Sequence, residues 1–512
     1  MLVVKYKHSD YQNFIQEFLT SYFVSTGQHI TILTRASCIL KLWSADLTGI
    51  VPLLKKRYAK PNRGAPPKDP VALMRSLLLM TLTGETSFSK WVDILRADPF
   101  YAIVSGFLPA SFSKPHCEDV TADPIPGVGT FYDFMDRLIQ QERVLARSKL
   151  RKLKRKPKKK QKKNEKMVSS KPGAVDRVMK RILKHNDAKL LDRPESTLNQ
   201  ILKDLFVMPS FSMGIMGNKD GLVNIAGDGT CMPANSSPYG KKVCNCELKP
   251  YEQCDCPRLF SDPTATWGWD SYNEQYFYGH TFHGFTACDS FYSLPIHIKC
   301  VSGKRHDSIT GTYHLKELVD LYPELKFGSG VFDSAYDAHA FYLLLLHYGI
   351  NPIIDLNSRS ADPQSGNELV ILDNKGVPHC KGLGHKLRNW GLMKKSYRRK
   401  WLFPVQCDDC DKCSAKSSKI YYTKTNDNPR FFSPILRDNP SWKKLYKKRS
   451  TTERAWNRIK NDFNARNATT ISNKVRIVRG FLGAFCCFVD AWACESKLTI
   501  KDIFSVLTKV AA

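Results

Sequence analysis

The first 146 residues carry apolar side chains at helical spacing. Residues 70–83 are almost continuously apolar and begin with proline, which is favoured at the first position of a helix. Ser87 is a suitable cap for a second helix, and Thr130 for a third over 131–146, where apolar residues recur every three or four positions. The pattern predicts an all-α N-terminal domain over 1–146, used for DNA binding or for packing and dimerisation.

After residue 220 the pattern changes to short apolar and alternating runs, which are typical of strands. The runs that predict strands lie at 222–226, 275–288, 293–301, 330–332 and 351–356. A helix is predicted over 338–348 between the last two. Strands interleaved with a helix indicate an α/β core, which we place at 221–358.

The region 359–440 does not continue this rhythm. It is rich in basic residues and cysteine and contains one clear strand, at 419–424. Helical spacing returns over 441–463 and again over 475–493. We therefore predict that 359–440 is an inserted subdomain and that 441–512 completes the core.

The charge of the chain favours a polyanionic partner. The formal net charge is +30 over 512 residues, and the run 147–166 contributes +12 of it, from 13 Lys or Arg and one Glu. The remaining +18 is spread over the rest of the chain. Lys and Arg displace counterions from phosphates, so nucleic acid is the first candidate partner. We interpret 147–170 as a basic linker, either solvated or lying along DNA, and 171–220 as a helical connector.

The apolar segments give no indication of a membrane partner. The first thirty residues lack the clean apolar core of a signal peptide. The longest apolar stretch, 480–494, is interrupted by Asp490 and is too short to cross a bilayer, so a buried core helix is the better interpretation. We expect a cytoplasmic, nucleoid-associated protein whose sixteen cysteines are thiols or metal ligands.

Two aspartates follow predicted strands. Asp228 stands between Gly227 and Gly229, and Asp333 follows a short apolar run. Ligands gather at strand ends in α/β sheets, and neighbouring glycine allows close approach of a metal or a phosphate. The alternative for each is an ordinary turn. Asp337 is a weaker candidate for the role of Asp333, its alternative being the cap of the following helix.

A helix near the end of the core carries the most specific pattern. Tyr446, Arg449, Glu453 and Lys460 fall within an arc of roughly 60° at 100° per residue, beside an apolar stripe. A carboxylate between two cations and a phenol suits a phosphate site in which Glu453 holds a metal and the cations neutralise phosphate oxygens. A surface helix with ordinary ion pairs is the alternative.

These four residues resemble the Tyr-x2-Arg-x3-Glu-x6-Lys signature of bacterial insertion-sequence transposases with a DDE catalytic domain. Asp228-Gly229-Thr230 is similar to the family's first catalytic motif. Asp333 matches the second, with Ala335 where the family usually has glycine. His280 lies near a position that is often tyrosine. The resemblance implies that Asp228, Asp333 and Glu453 are the catalytic acids.

The same resemblance implies a fold and a reaction. The fold is an RNase H-like core with an insertion before the helix that bears Glu453. The reaction is cleavage at the ends of a DNA element followed by strand transfer, with two Mg²⁺ or Mn²⁺ ions held by the three acids. The partners are double-stranded DNA, as terminal inverted repeats and target, and a second copy of the chain in a synaptic homodimer.

Two groups of cysteines have spacings that suit structural zinc. The first group comprises Cys244, Cys246, Cys254 and Cys256, and the second comprises Cys380, Cys407, Cys410 and Cys413. Zn²⁺ takes four tetrahedral thiolates, and closely spaced cysteine pairs provide that geometry. Free cytosolic thiols are the alternative for both groups.

Three functions remain open at this point. The first is a DNA transposase. The second is a non-catalytic, zinc-containing DNA-binding protein, which would leave the three acids unexplained. The third is an RNase H-like nuclease that cuts without strand transfer.

Overall fold

The computed structural model describes residues 2, 4–58, 67–109, 123–139, 149–151, 173–185, 193–217, 220–247, 254, 256–358, 369–404, 420–466 and 472–510. Most of the basic linker lies outside these residues. Its described part is the short strand Lys149–Arg151.

The N-terminal region is built from short helices. They span His8–Leu19, Thr20–Val24, Ile30–Thr34, Ala36–Trp43, Ile50–Leu54, Lys55–Arg57, Pro70–Leu82, Phe88–Ala97, Pro99–Ser105 and Val128–Leu138. The helix predicted at Pro70 is confirmed, capped by Asp69, whose side chain accepts the Val71 N–H at 3.0 Å. The Ser87 cap is also confirmed, since its hydroxyl accepts the Lys90 N–H.

Two N-terminal predictions need correction. The third helix is Val128–Leu138, with Gly127 rather than Thr130 at its cap, so it begins earlier than predicted. The region also contains a two-residue parallel strand pair, Phe107–Leu108 with Asp123–Pro124. Helices then follow at Ala174–His185, Ser196–Leu202, Lys203–Val207 and Met208–Ser212.

A six-stranded mixed sheet forms the centre of the molecule. Its strands in chain order are β1 Leu222–Pro233, β2 Thr266–Asp270, β3 Gln275–Ala287, β4 Pro295–Ser302, β5 Lys326–Phe332 and β6 Asn351–Ile354. The order across the sheet is β6-β5-β1-β3-β2, and β4 also pairs with β3, along residues 280–286 of β3, whereas β2 pairs with residues 275–279. Strands β5 and β6 run parallel to β1, whereas β3 is antiparallel to β1, β2 and β4.

Helices cover the sheet and join it to the N-terminal region. They are Asp307–Leu321, Ser334–Tyr336, His339–His347, Pro440–Tyr446, Lys447–Arg449, Ser450–Asn457, Arg458–Asp462, Asn473–Ser496, Ile500–Ile503 and Ser505–Val510. The helix Asp307–Leu321 was not predicted from the sequence. One continuous hydrophobic core includes buried side chains from the N-terminal helices, the sheet and the helix Asn473–Ser496.

The helix Asn473–Ser496 is long and apolar enough to cross a membrane, but 83% of its most apolar window is buried inside the fold. It packs on the helices Pro70–Leu82, Ala36–Trp43 and Val128–Leu138 and on β4. The predicted role of this stretch as a core helix is confirmed.

Between β6 and residue 440 the chain forms a small β-rich unit. Its strands are Val370–Leu372, Pro378–Cys380, Arg388–Met393, Arg398–Leu402 and Ile420–Lys424. It has a hydrophobic cluster of its own, centred on Trp401, which is fully buried.

Candidate active site

Asp228 lies inside β1 and not at its end, because β1 continues to Pro233. Neither flanking glycine breaks the strand, since nine residues of β1 pair with β3 and Asp228 lies opposite Gly284. Glycine is required at both positions because neighbouring side chains leave no room for a Cβ atom. A Cβ at Gly227 would lie 2.5 Å from the Phe332 ring, and one at Gly229 would lie 2.2 Å from Oδ1 of Asp307. The sequence pattern was therefore a sign of close packing at this position rather than of a turn.

Asp333 follows β5, the parallel neighbour of β1, and opens the short helix Ser334–Tyr336. Its Oδ1 accepts the Ala335 N–H at 3.0 Å. The alanine that replaces the usual glycine therefore makes the turn that orients the carboxylate.

Asp307 is a third buried carboxylate at the same place. It begins the helix Asp307–Leu321, whose cap is His306. Its carboxylate approaches Gly229, the residue after Asp228. Burial raises the pKa of Asp228 to about 8, with further contributions from the charges of Asp333 and Asp307. Burial and Asp333 likewise raise the pKa of Asp307 to about 7.

Few positive charges lie near these three carboxylates to offset their negative charge. Burial also raises the pKa of Asp333. Within the described ranges, none of the three forms an ion pair with a basic side chain. The cation that acts on both Asp228 and Asp333 is Arg449, which lowers the pKa of each. Ionised carboxylates in a buried position are costly unless cations neutralise them, so this cluster is suited to divalent metal.

Glu453 stands on the helix Ser450–Asn457, which packs on β1 and β3, and its side chain is turned toward Arg449. Its Oε1 lies 2.6 Å from Nη1 of Arg449, and its side chain is 49% exposed. It also lines a cavity of about 1030 Å³ together with Phe291 and Arg454. Arg449 thus links Glu453 electrostatically to Asp228 and Asp333.

The other two members of the helix motif face the same side of the sheet. Lys460 donates to the Thr230 hydroxyl on β1 at 2.8 Å. Burial raises the pKa of Tyr446 to about 12, and its hydroxyl hydrogen bonds with Asp355. The predicted helix over 441–463 is confirmed, although its winding changes at Lys447–Arg449 and at Arg458–Asp462. Equal spacing of 100° per residue is therefore only approximate here.

Trp456 fixes this helix against the sheet. Its Nε1 donates to the Asp228 carbonyl at 3.3 Å. A Cβ at Gly284, the residue opposite Asp228, would lie 2.7 Å from its ring. The helix that bears Glu453 is thereby held across the strand that bears Asp228.

Residues 223–489 match the family described as the transposase DDE domain. This chain belongs to that family. The solved structures that the chain matches include a cryo-EM structure of the piggyBac transposase synaptic complex with hairpin DNA; the match covers 91% of this chain and 77% of the other, with 10% sequence identity and a TM-score of 0.34. No curated protein matches the sequence. Membership of the family means that the chain is a DNA transposase of the DDE type.

Asp337 has a structural role that differs from the predicted helix cap. Its carboxylate forms an ion pair with Arg430 at 2.8 Å and accepts the Asn357 N–H at 2.7 Å. It also accepts from the Tyr342 hydroxyl at 3.0 Å. Asp337 therefore ties the β-rich unit to the end of β6.

His280 belongs to a buried polar group and not to the carboxylate cluster. Its Nε2 lies 2.9 Å from the Thr264 hydroxyl, and its Nδ1 lies 3.2 Å from Nη1 of Arg476. Arg476 also pairs with Asp262 at 3.3 Å.

Two features of the site were missed from the sequence. Asp307 was missed because the run His306-Asp307-Ser308 was not recognised as a helix start after a strand, a signal that acidic first-turn residues provide. The second is a chain of buried side chains in which the Tyr336 hydroxyl contacts His283 at 2.6 Å, and His283 contacts His314 at 2.6 Å. His314 continues the chain to His297 at 2.5 Å.

The fold brings the four cysteines of the first group close to one another. Most of the second group lies outside the described residues. The four Sγ atoms of Cys244, Cys246, Cys254 and Cys256 all lie within 4.8 Å of one another, so the group could hold a metal ion. Cys380 is buried in the β-rich unit. Its predicted partners Cys407, Cys410 and Cys413 fall among the residues not described.

Proposed function

We propose that the protein cuts DNA at the ends of a mobile element and joins the freed 3′ ends to target DNA, with Asp228, Asp333 and Glu453 as the catalytic acids. One observation carries the proposal. Asp228, Asp307 and Asp333 form a buried group that makes no ion pair with a basic side chain in the described chain, and the helix that bears Glu453 lies across the strand that bears Asp228. Family membership supplies the reaction class.

The fold assigned to this site is an RNase H-like core with an inserted subdomain. The sheet order supports it, because β1 is central, its parallel neighbour β5 ends at Asp333, and β3 and β4 complete an antiparallel side. In this arrangement Asp228 and Asp333 come from adjacent strands. The β-rich unit at 370–424 then occupies the place of the insertion, between β6 and the helix of Glu453.

Two Mg²⁺ or Mn²⁺ ions suit the donor set, because hard divalent cations prefer carboxylate oxygens and retain several waters. Bound there, they would supply activation of the attacking oxygen and stabilisation of the leaving oxygen in an in-line displacement. Asp228, Asp333 and Glu453 would hold the two ions, with Asp228 shared between them. Asp307 adds a fourth carboxylate, which we assign to positioning and charge.

Glu453 and Arg449 exchange partners in this proposal. The half-exposed Glu453 side chain would leave Arg449 to hold metal, and Arg449 would then be free to neutralise a phosphate oxygen of the DNA. Lys460 and Tyr446 are proposed to contact the same strand. A water oxygen attacks phosphorus and the 3′ oxygen leaves. The resulting 3′-hydroxyl then attacks a phosphorus atom of the target strand, the target's own 3′ oxygen leaves, and that oxygen takes up the proton lost by the attacking hydroxyl.

The partners follow from the reaction. They are double-stranded DNA, as inverted repeats and as target, and a second copy of the chain that brings two ends together. The net charge of +30 supports binding to DNA. No membrane partner is proposed, and the site of action is the bacterial cytoplasm and nucleoid.

The test uses the purified full chain, Mg²⁺ or Mn²⁺ and a labelled duplex that carries the inverted repeat flanking its own gene. Metal-dependent nicking at the repeat boundary and joined products are expected. Asp228→Asn, Asp333→Asn and Glu453→Gln should each abolish both while leaving DNA binding intact. Asp93→Asn is the matched control, because Asp93 is exposed on the helix Phe88–Ala97.

Three outcomes separate the alternatives. Cleavage without joined products would indicate a nuclease. Tight binding without cleavage under either metal would indicate a non-catalytic DNA-binding protein. Full activity of Glu453→Gln with loss in Asp307→Asn would move the third catalytic role from Glu453 to Asp307.

A further inference from the structure

Four cysteines join the two strands of a small β-ribbon in the connection between β1 and β2. Cys244 and Cys246 follow the strand Lys241–Lys242, and Cys254 and Cys256 precede the strand Arg258–Phe260. The two strands pair antiparallel, with Lys242 opposite Arg258. A ribbon whose shorter strand has two residues is too short to persist without a further link.

The sulfur positions fit a tetrahedral metal better than disulfides. The Sγ atoms of Cys244 and Cys254 lie 3.4 Å apart, and those of Cys246 and Cys256 lie 3.3 Å apart. All four lie within 4.8 Å of one another. Thiolates at the usual Zn–S distance of about 2.3 Å are separated by about 3.8 Å around tetrahedral zinc. A disulfide would require about 2.05 Å and would join only two of the four.

The ribbon also carries uncompensated positive charge. Lys242 and Arg258 lie directly opposite each other, an arrangement that is destabilising for like charges. Their hydrogen bonds go to backbone carbonyls, from Lys242 to Cys246 at 3.2 Å and from Arg258 to Tyr239 at 3.5 Å. Across the described ranges, no carboxylate forms an ion pair with either side chain. Lys241 and Lys242 are exposed.

A third strand brings the basic run of the chain to this ribbon. Lys149–Arg151 pairs antiparallel with Arg258–Phe260, and Arg151 occupies the position opposite Arg258. These residues belong to 147–166, which holds 13 Lys or Arg and one Glu. Three strands thus place basic residues at matching positions, next to the four cysteines.

We propose that Cys244, Cys246, Cys254 and Cys256 bind one structural Zn²⁺, and that the metal holds this small basic sheet in a form that binds DNA phosphates. The choice of DNA as the polyanion rests on the proposed function, whereas the zinc site does not. The like charges that oppose each other in the free protein are neutralised when the sheet lies on the DNA backbone. The zinc closes the open end of the ribbon and so keeps the cations in register.

The zinc half is tested by metal analysis of the full chain and of the Cys244→Ser/Cys246→Ser double variant, both purified under reducing conditions. We expect the variant to contain one Zn²⁺ per chain fewer than the parent protein. Cys38→Ser/Cys494→Ser is the matched control and should lose none, since these cysteines lie outside the group. Equal zinc in the parent and the Cys244→Ser/Cys246→Ser variant, or disulfides between the four cysteines in the parent protein by intact-mass analysis, would overturn the zinc site.

The DNA half is tested by the salt dependence of binding to duplex DNA, measured in the Asp228→Asn background so that cleavage plays no part. Lys241→Ala/Lys242→Ala should reduce the slope of log K against log salt by about 2, since each phosphate contact contributes about 0.9. Lys326→Ala/Lys501→Ala, which removes two exposed lysines from other surfaces, should leave the slope unchanged.

The Cys244→Ser/Cys246→Ser variant, measured for the salt dependence of DNA binding, tests whether the zinc site supports DNA binding. Loss of zinc should reduce the slope by as much as the lysine variant does, while the thermal transition of the main core is retained. Loss of zinc with an unchanged slope would refute the role in DNA binding and leave only a structural metal. Because metal content and binding are measured without cleavage, an inactive transposase would not affect either result.

Discussion

Replacement of Gly229 by alanine should inactivate the site without altering a single acid. A Cβ at this position would lie 2.2 Å from Oδ1 and 2.8 Å from Cγ of Asp307. Ordinary contact begins near 3.4 Å, so the carboxylate must move by about 1.2 Å or the two strands must separate. Overpacking of this kind costs about 1–3 kcal/mol of folding free energy. A displacement of about 1 Å in a catalytic site can reduce the rate about 100-fold.

The assay is metal-dependent cleavage of the repeat duplex, combined with thermal unfolding of the same samples. We expect Gly229→Ala to lose at least about 100-fold in cleavage rate while it remains folded. Gly129→Ala is the control, because a Cβ there would meet nothing within 4 Å. Combination of Gly229→Ala with Asp307→Asn should add little to either single effect, since both act on one group. Cleavage at the parental rate in Gly229→Ala would refute the assignment of Asp307 to the active site.

The remaining predictions concern metal, pH and buried charge. Mg²⁺ should raise the melting temperature of the parent protein and not that of Asp228→Asn. At pH 7, Asp228→Asn should melt higher than the metal-free parent, because the pKa of Asp228 is raised to about 8 on folding and a carboxyl that is ionised in the unfolded chain must then take up a proton to be buried. Equal shifts with Mg²⁺ in both proteins would contradict this. Burial lowers the pKa of His283 to about 3. Below pH 6.5 the unfolded state therefore holds a proton that the folded state does not, so the free energy of unfolding should fall as the pH falls from 6.5 toward 3. The loss from this residue alone should be about 2 kcal/mol at pH 5. Urea unfolding at pH 7 and pH 5 measures this, and His347→Gln, which removes an exposed histidine, should show the same loss as the parent. Lys299→Met should destabilise the fold by about 3–5 kcal/mol, because it leaves Glu195 buried without an ion-pair partner in the described chain and leaves Glu317 with only Arg193. Lys180→Met, at an exposed helix pair, should cost under about 0.5 kcal/mol. Similar values for the two variants in urea unfolding would show that the buried Lys299 group does not contribute to stability.

The sequence was informative where one short pattern carries both structure and chemistry. The helix with Tyr446, Arg449, Glu453 and Lys460 could be located because its spacing is fixed by one element. The strand before Asp333 was recognised from its apolar residues. The inserted strand Ile420–Lys424 was also predicted to within one residue.

The rest depended on contacts between distant parts of the chain. The glycines beside Asp228 indicate a strand end when read locally, but they are required by Asp307 and Phe332, which lie 78 and 105 residues further on than Gly229 and Gly227. Asp307 has no local pattern that distinguishes it from other acidic residues at helix starts. The winding of the Glu453 helix and its ion pair with Arg449 likewise depend on tertiary packing, so the orientation of the Glu453 side chain could not be predicted.

The helix Asn473–Ser496 has a consequence for the order of events during synthesis. It supplies the surface on which the helices Pro70–Leu82 and Val128–Leu138 pack, so these early segments leave the ribosome long before their partner exists. At about 5–20 residues per second, the interval of roughly 400 residues lasts about 20–80 seconds. During that time their apolar faces need other cover, such as a chaperone. A nascent chain stopped before residue 473 would have both strand aspartates but no completed core, so the capacity to cut DNA arises only after the helix Asn473–Ser496 has been made.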